Sequence, residues 1–324
     1  MAIQFSDISF LDGDFDEEVD NYKRYAERRT GFDNLDAEQI FMPGLYVLGG
    51  LPAAGKTTFA LQLLCQLAAR GEQCFYFSFE MAECMLWAKV LACALFLSRR
   101  KNDIENASKS ALTATNLLCG RFADTDEKQE VDAYRRELSR SRLPLKIAQV
   151  NLSVKSLLRE LPQKEGAVVV LDYLQMLAHD KDNPRGAIDE TIFSFREYQR
   201  KTKSTLIILN SFNRESYRQA ASMASFKESG GIEYSADVCW ALQAYGFKKS
   251  ESGKYEFDYE ASREEGSKFE RKIRLSCLKN RFGRQYTCDF CYYAAFDCFC
   301  SQLMAFEDYE EENHSDAPKR KYKK

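Results

Sequence analysis

The chain has 324 residues, 45% of them hydrophobic, with a formal net charge of −3 and eleven cysteines. That length and composition suit one large α/β domain with insertions or two small domains, and the acid excess excludes a uniformly basic nucleic-acid binder, though not one that gathers lysine and arginine on loops. No run approaches 18 uninterrupted apolar residues, and the opening MAIQFSDISFLDGDFDEE is acidic where a secretory signal is basic and then apolar, so a soluble, cytoplasmic protein with no membrane partner is expected.

Residues 1 to 29 read as an acidic arm in which DEEVDNYKRYAERR forms a short exposed helix, suited to docking rather than to core formation. From Thr30 the pattern turns α/β. The spacing predicts a strand near 45–49, a helix over 56–70, a strand over 74–79 and a helix-rich stretch from about 82 to 140. Strands follow at 145–150 and 167–172, then a helix near 187–202 and a strand at 206–211. VVVLD and LIILN are apolar on both faces, as in a parallel sheet covered by helices on each side. After residue 237, ADVCWALQAY, KIRLSCLKN, QYTCDFCYY and AFDCFCSQL succeed one another with little helix, which predicts antiparallel strands extending that sheet. The charged stretch Phe247 to Arg271 reads as a solvent loop or lid, and residues 304–324, acidic and then basic, as a disordered tail. The domain plan is therefore an arm over 1–29, one α/β domain over 30–303 and the tail.

Gly50-Leu51-Pro52-Ala53-Ala54-Gly55-Lys56-Thr57 fits the phosphate-loop pattern G-x-x-x-x-G-K-[ST]. An apolar strand precedes it, and a helical pattern with Phe59, Leu63, Leu64 and Leu67 on one face follows. Such a loop wraps backbone N–H groups around phosphates at a helix N-terminus, while the lysine reaches the β- and γ-phosphates and the Thr57 hydroxyl ligates Mg²⁺. Gly50, Ala53, Ala54, Gly55, Lys56, Thr57 and Thr58 are thus candidate contacts to ATP or another nucleoside triphosphate. The fold that carries them is a P-loop sheet of RecA-like type. Asp172, ending the apolar strand Ala167 to Leu171, is the candidate Mg²⁺ carboxylate beside that loop. Glu80, ending FYFSFE, is the candidate base that orients the attacking water, the alternative being simply an acidic residue at a helix start. Most cysteines lie in apolar runs and read as reduced. Cys288, Cys291, Cys298 and Cys300 could offer four zinc thiolates, but the segment reads as two strands, in which positions three apart face opposite sides.

TGFDNLD (30–36), the phosphate loop, FSFEM (77–81), LDYLQML (171–177), FNRE (212–215), KESGGIEYSAD (227–237) and LKNRFG (278–283) occur in that order. Together they resemble the C-terminal motor domain of the DnaB-type replicative DNA helicases, over roughly residues 30 to 300. The resemblance implies a RecA-like ATPase that assembles as a hexameric ring around single-stranded DNA and couples nucleotide hydrolysis to translocation. It implies that Lys279 and Arg281 form a basic finger reaching into a neighbouring subunit's nucleotide site. It also implies that Lys227, Glu228 and Gly230 belong to a central loop that holds the DNA backbone, with a loader or replication protein as a further partner. Tyr234, Phe226 and Phe212 would either stack on bases or pack in the core.

Three features depart from the family pattern. Ser211 stands where the family's SQLNR motif carries a glutamine, which puts coupling between hydrolysis and DNA in question, with Asn210 as a partial substitute. The arm is short, with no helical collar or primase-contacting domain in this sequence. The stretch 247–271 has no family counterpart. The alternative reading is a regulatory or assembly ATPase that binds a protein partner without coupled unwinding. A P-loop kinase is weaker still, because no acceptor pocket or lid pattern is present.

Overall fold

The computed structural model describes residues 11, 14–102, 112–172, 184–226, 229–250, 254–302 and 306. The strands β1 (Gly44–Gly50), β2 (Cys74–Ser78), β3 (Leu145–Gln149), β4 (Val168–Asp172), β5 (Thr205–Ser211) and β6 (Val238–Ala244) run parallel in the order β6-β1-β5-β4-β2-β3. The sheet then continues outward from β6 through β9 (Glu270–Asn280), β10 (Thr287–Tyr293) and β11 (Cys298–Gln302), each antiparallel to its neighbour. The expectation of four antiparallel strands after residue 237 is therefore corrected for the first of them. ADVCWALQAY lies parallel to β1, because the chain between β5 and β6 crosses back to the sheet's starting edge before β6 begins.

Helices cover both faces, which is why the central strands are apolar throughout. On one face the helix Lys56–Ala69 buries Phe59, Leu63, Leu64 and Leu67 against Tyr46, Leu48, Ile207 and Trp240. On the other, the helix Pro184–Thr202 buries Ile188, Ile192 and Phe195 against Leu45, Val47, Leu206 and Ile208. The helices Glu83–Asn102, Ala114–Leu118 and Thr125–Arg140 fill the stretch between β2 and β3, as their periodicity predicts. TGFDNLD has a structural part. Thr30 donates to Asp36 Oδ1 through its N–H at 2.6 Å and its hydroxyl at 2.7 Å, and Phe32 stacks on Phe59 with centroids 4.9 Å apart.

The arm forms the helix Asp14–Ala26, whose end is tied down by Tyr25 and Arg28, both buried. Arg28 donates to Thr205 Oγ1 at 2.9 Å and to the Gly166 carbonyl at 2.8 Å. The expected solvent loop over 247–271 is instead ordered structure in its described part. It is a hairpin of β7 (Phe247–Lys249) and β8 (Tyr255–Phe257) followed by the helix Tyr259–Glu265. Ser262 donates to the Ala244 carbonyl at 2.7 Å, and Gly246 lies so close that an added Cβ would meet Ser262 Cβ at 2.4 Å. All eleven cysteines are free thiols. No described helix is long and apolar enough to cross a membrane. The tail lies outside the described residues except Phe306, which is buried.

Candidate nucleotide site

The phosphate loop leaves β1 at Gly50 and enters its helix at Lys56 with Gly55 as N-cap at φ 88°. Gly55 needs its missing side chain for a second reason: a Cβ there would meet Phe299 Cζ at 2.8 Å and Tyr292 Cε1 at 3.0 Å. Ala53 also takes a left-handed backbone, φ 60°, at a cost of about 1–2 kcal/mol for a residue with a Cβ. Lys56 Nζ donates to the carbonyls of Gly50 at 3.0 Å and Leu51 at 2.9 Å. Burial pushes its pKa down to about 8, against the opposing pull of Asp172 and Glu80. Ala54 is buried beside them.

Thr57 Oγ1 donates to Asp172 Oδ2 at 2.8 Å, and the Tyr76 hydroxyl donates to the same oxygen at 2.6 Å. Burial raises the Asp172 pKa, while the hydrogen bonds from Tyr76 and Thr57 and the charge of Lys56 pull it back. The hydroxyl of Thr57 and the carboxylate of Asp172 are hard oxygen donors set side by side, a pair that fits Mg²⁺. Glu80 lies exposed two residues beyond β2, whose Ser78 pairs in register with Asp172. The sheet thus brings Lys56, Thr57, Asp172 and Glu80 to one edge, at the C-terminal ends of the parallel strands. Thr58 is turned differently: its hydroxyl donates to Asp297 Oδ1 at 2.9 Å, so only its backbone remains for a phosphate.

Beside the loop opens a cavity of about 640 Å³ with Lys89, Arg271, Tyr292 and Asp297 on its walls. The Arg271 guanidinium lies 5.8 Å from the Tyr292 ring centroid and donates to the Ala53 carbonyl at 3.3 Å, which puts a cation and an aromatic ring on this wall. Lys89 Nζ sits 2.5 Å from Asp297 Oδ1. These four residues escaped the sequence reading. They come from the helix after β2 and from the β9–β11 extension, and no local motif marks them.

Lys279 and Arg281 lie elsewhere. Asn280 pairs with Val238 at the start of β6, and the Asp237 N–H bonds the Leu45 carbonyl at the start of β1, so both basic residues sit at the opposite edge of the sheet from the phosphate loop. The length of β1 separates the two edges, roughly 20 Å at 3.3 Å per residue. Within one chain this pair does not meet the nucleotide site.

Lys227 and Glu228 lie outside the described residues, as do the residues of LDYLQML beyond Asp172. Gly230 lies in the first turn of a short helix, Ser229–Ser235, rather than in an open loop, and Gly231 packs flush against Asp189, where a Cβ would fall 2.1 Å from Oδ1. Phe212 and Phe226 are core residues, ring to ring at 5.5 Å, whereas Tyr234 is 79% exposed. Ser211 ends β5 opposite Gly50, while Asn210 is fully buried with no hydrogen-bond partner for its amide among the described residues. The four C-terminal cysteines do not converge. Cys288 packs with Phe290 in the main core, whereas Cys291, Cys298 and Cys300 surround Phe96 and Phe296, and no group of three or more metal-ligating side chains occurs among the described residues.

The family model for the DnaB-like helicase C terminal domain matches residues 29–301. The replicative DNA helicase DnaB of Treponema pallidum (strain Nichols) is 26% identical over 224 residues, a match that spans 66% of this chain and 46% of that protein. The chain thus spans under half the length of this curated relative. Among solved structures, an ATPase domain superposes with a TM-score of 0.70 at 19% identity, covering 92% of this chain and 100% of that one. A DnaB-like replicative helicase, solved in a study of its interactions with primase, gives 0.68 at 18% identity, covering 92% and 67%. The sheet order and these superpositions make the fold RecA-like, and the chain belongs to the family of DnaB-like helicase C-terminal domains.

Proposed function

We propose that this protein is an ATP-dependent DNA helicase or single-stranded DNA translocase of DnaB type, working in the cytoplasm as a ring-shaped oligomer, a hexamer. One observation carries the reading: phosphate loop, Asp172 and Glu80 share one edge of the sheet while Lys279 and Arg281 occupy the other. A complete site therefore needs two copies set head to tail, and repeating that contact gives a ring when the rotation between copies closes, the arrangement proposed here. ATP binds along the loop from Gly50 to Thr58, with Mg²⁺ held by Thr57 and Asp172 to neutralise charge on the β- and γ-phosphates. Glu80 is the base that orients water, and Arg281 with Lys279 stabilises the transition-state charge from the neighbouring copy.

The arm supports the head-to-tail contact. Leu11, ahead of its helix, and Phe15, Val19 and Tyr22 within it are apolar side chains exposed to solvent. The helices Glu83–Asn102, Ala114–Leu118 and Thr125–Arg140 enclose an apolar cavity of about 600 Å³ that includes Trp87 and Leu118, both exposed. An apolar arm on one copy seated in the cavity of the next buries both. DNA is held at the ring centre through Lys227, Glu228 and Gly230, and a loader or replication protein brings the ring to it.

The test mixes two inactive variants. Arg281→Ala lacks the finger and Glu80→Gln lacks the base, so each alone is expected to lose at least about 10²-fold in turnover. Mixed, they form some interfaces with an intact site and regain part of the activity. Absence of any regain would exclude a finger acting between copies.

A further inference from the structure

Arg281 is 44% exposed at the far edge of the sheet, yet it does not hang free. Its Nη1 donates to Asp237 Oδ1 at 3.1 Å, its Nη2 to the Tyr234 carbonyl at 2.8 Å, and its backbone N–H to the Asp237 carbonyl at 2.9 Å. Lys279 Nζ donates to the carbonyl of Glu233. The carbonyls of Glu233 and Tyr234 belong to the last turn of the helix Ser229–Ser235, where unpaired C=O groups and the negative end of the helix favour cations.

Asp237 is buried, and one of its two oxygens is engaged without Arg281. Arg196 Nη1 donates to Oδ2, and the Leu45 N–H donates to the same oxygen at 2.9 Å. The second oxygen is turned to Arg281. A planar guanidinium fixed at two nitrogens by acceptors on different elements keeps one orientation, whereas a solvated arginine samples many.

We propose that Asp237 and the carbonyl end of the helix Ser229–Ser235 form a cradle that positions Arg281 for the neighbouring copy's nucleotide site. This rests on the reading of Arg281 as a group acting between copies.

The test uses Asp237→Asn in mixtures. Alone, it is expected to lower kcat about 10²-fold, the loss that follows from misplacing a catalytic group by roughly 1 Å, with KM for ATP within about twofold of the parent. Mixed with Glu80→Gln, which keeps a whole cradle, it regains activity. Mixed with Arg281→Ala it regains none, because neither copy then delivers a finger. If Asp237→Asn raises KM, or is rescued by Arg281→Ala, the cradle is overturned. If Arg281→Ala and Glu80→Gln fail to rescue each other, the underlying reading of Arg281 fails instead. Should Asp237→Asn not fold, the pair Arg196→Gln with Asp237→Asn removes both charges of the buried ion pair and must show the same mixing pattern; full activity in that pair overturns the proposal.

Discussion

The Lys56 ammonium is the group whose ionisation most directly reports on nucleotide binding. Its folded pKa, about 8, lies below the ordinary 10.5 because burial outweighs the attraction of Asp172 and Glu80. Between those two values the unfolded chain binds more protons than the folded one. This lysine therefore costs stability in full below about pH 8, and the cost is relieved as pH rises toward 10.5. Nucleotide phosphates favour the charged form, so binding above about pH 8 is expected to take up a proton. Calorimetry at about pH 8.5 in buffers of different ionisation enthalpy checks this: heats should differ between buffers, and the difference should vanish in Lys56→Ala. Identical heats in the parent would contradict it. Glu80→Gln should leave nucleotide affinity unchanged while turnover falls by about 10²–10⁴-fold; normal turnover would place the base elsewhere. The phosphate loop, Asp172 and Glu80 could be placed at one sheet edge from the sequence because each stands at or just beyond the end of an apolar strand; their roles remain as proposed. Tyr76, Arg271, Tyr292 and Asp297 could not, since their contacts depend on how the sheet curls, and each reads locally as an ordinary strand or turn residue.

That curl is fixed at the level of elements by Gln62. From the middle of the phosphate-loop helix its amide bonds the backbone of Phe299 twice, Nε2 to the carbonyl and Oε1 from the N–H, both at 2.8 Å. It treats β11 as another strand would and covers part of the sheet's open edge. Gln62→Leu leaves two buried backbone groups unpaired and should cost about 1–3 kcal/mol per group, read as a fall in melting temperature and faster amide exchange over 298–302. Unchanged exchange there would mean that β11 is held by β10 alone. The strands and helices were legible from periods of two and 3.6, but the direction of β6 was not. An apolar strand buried on both faces looks the same whether parallel or antiparallel, and only the crossing connection from β5 decides. The 247–271 stretch was misread for a related reason: most of its described charges face outward, while Phe247 against Tyr245, Ser262 on Ala244 and the buried Glu265 on the Lys272 N–H hold it to the domain.

Across the whole molecule, the separation of the phosphate loop from Lys279 and Arg281, the proposed second half of the nucleotide site, is the feature with the widest consequence. On the proposed reading a single copy binds nucleotide but lacks the finger, so specific activity should rise with protein concentration and fall when the exposed apolar set Leu11, Phe15, Val19 and Tyr22 is broken. Val19→Asp is expected to shift that rise to higher concentration without weakening nucleotide binding; a curve that overlays the parent would exclude the arm from the contact. Ser211 in place of the family glutamine bears on the same scale, because on the proposed reading it shortens the side chain between the nucleotide and DNA at the end of β5. The measurement that tests the central claim most directly is ATP hydrolysis with and without single-stranded DNA, across protein concentration and at two salt levels. Stimulation that grows cooperatively with protein and weakens with salt is the expected result, since phosphate contacts release counterions. Hydrolysis indifferent to DNA at every concentration would contradict a DNA-driven ring and leave a nucleotide-switched assembly factor in its place.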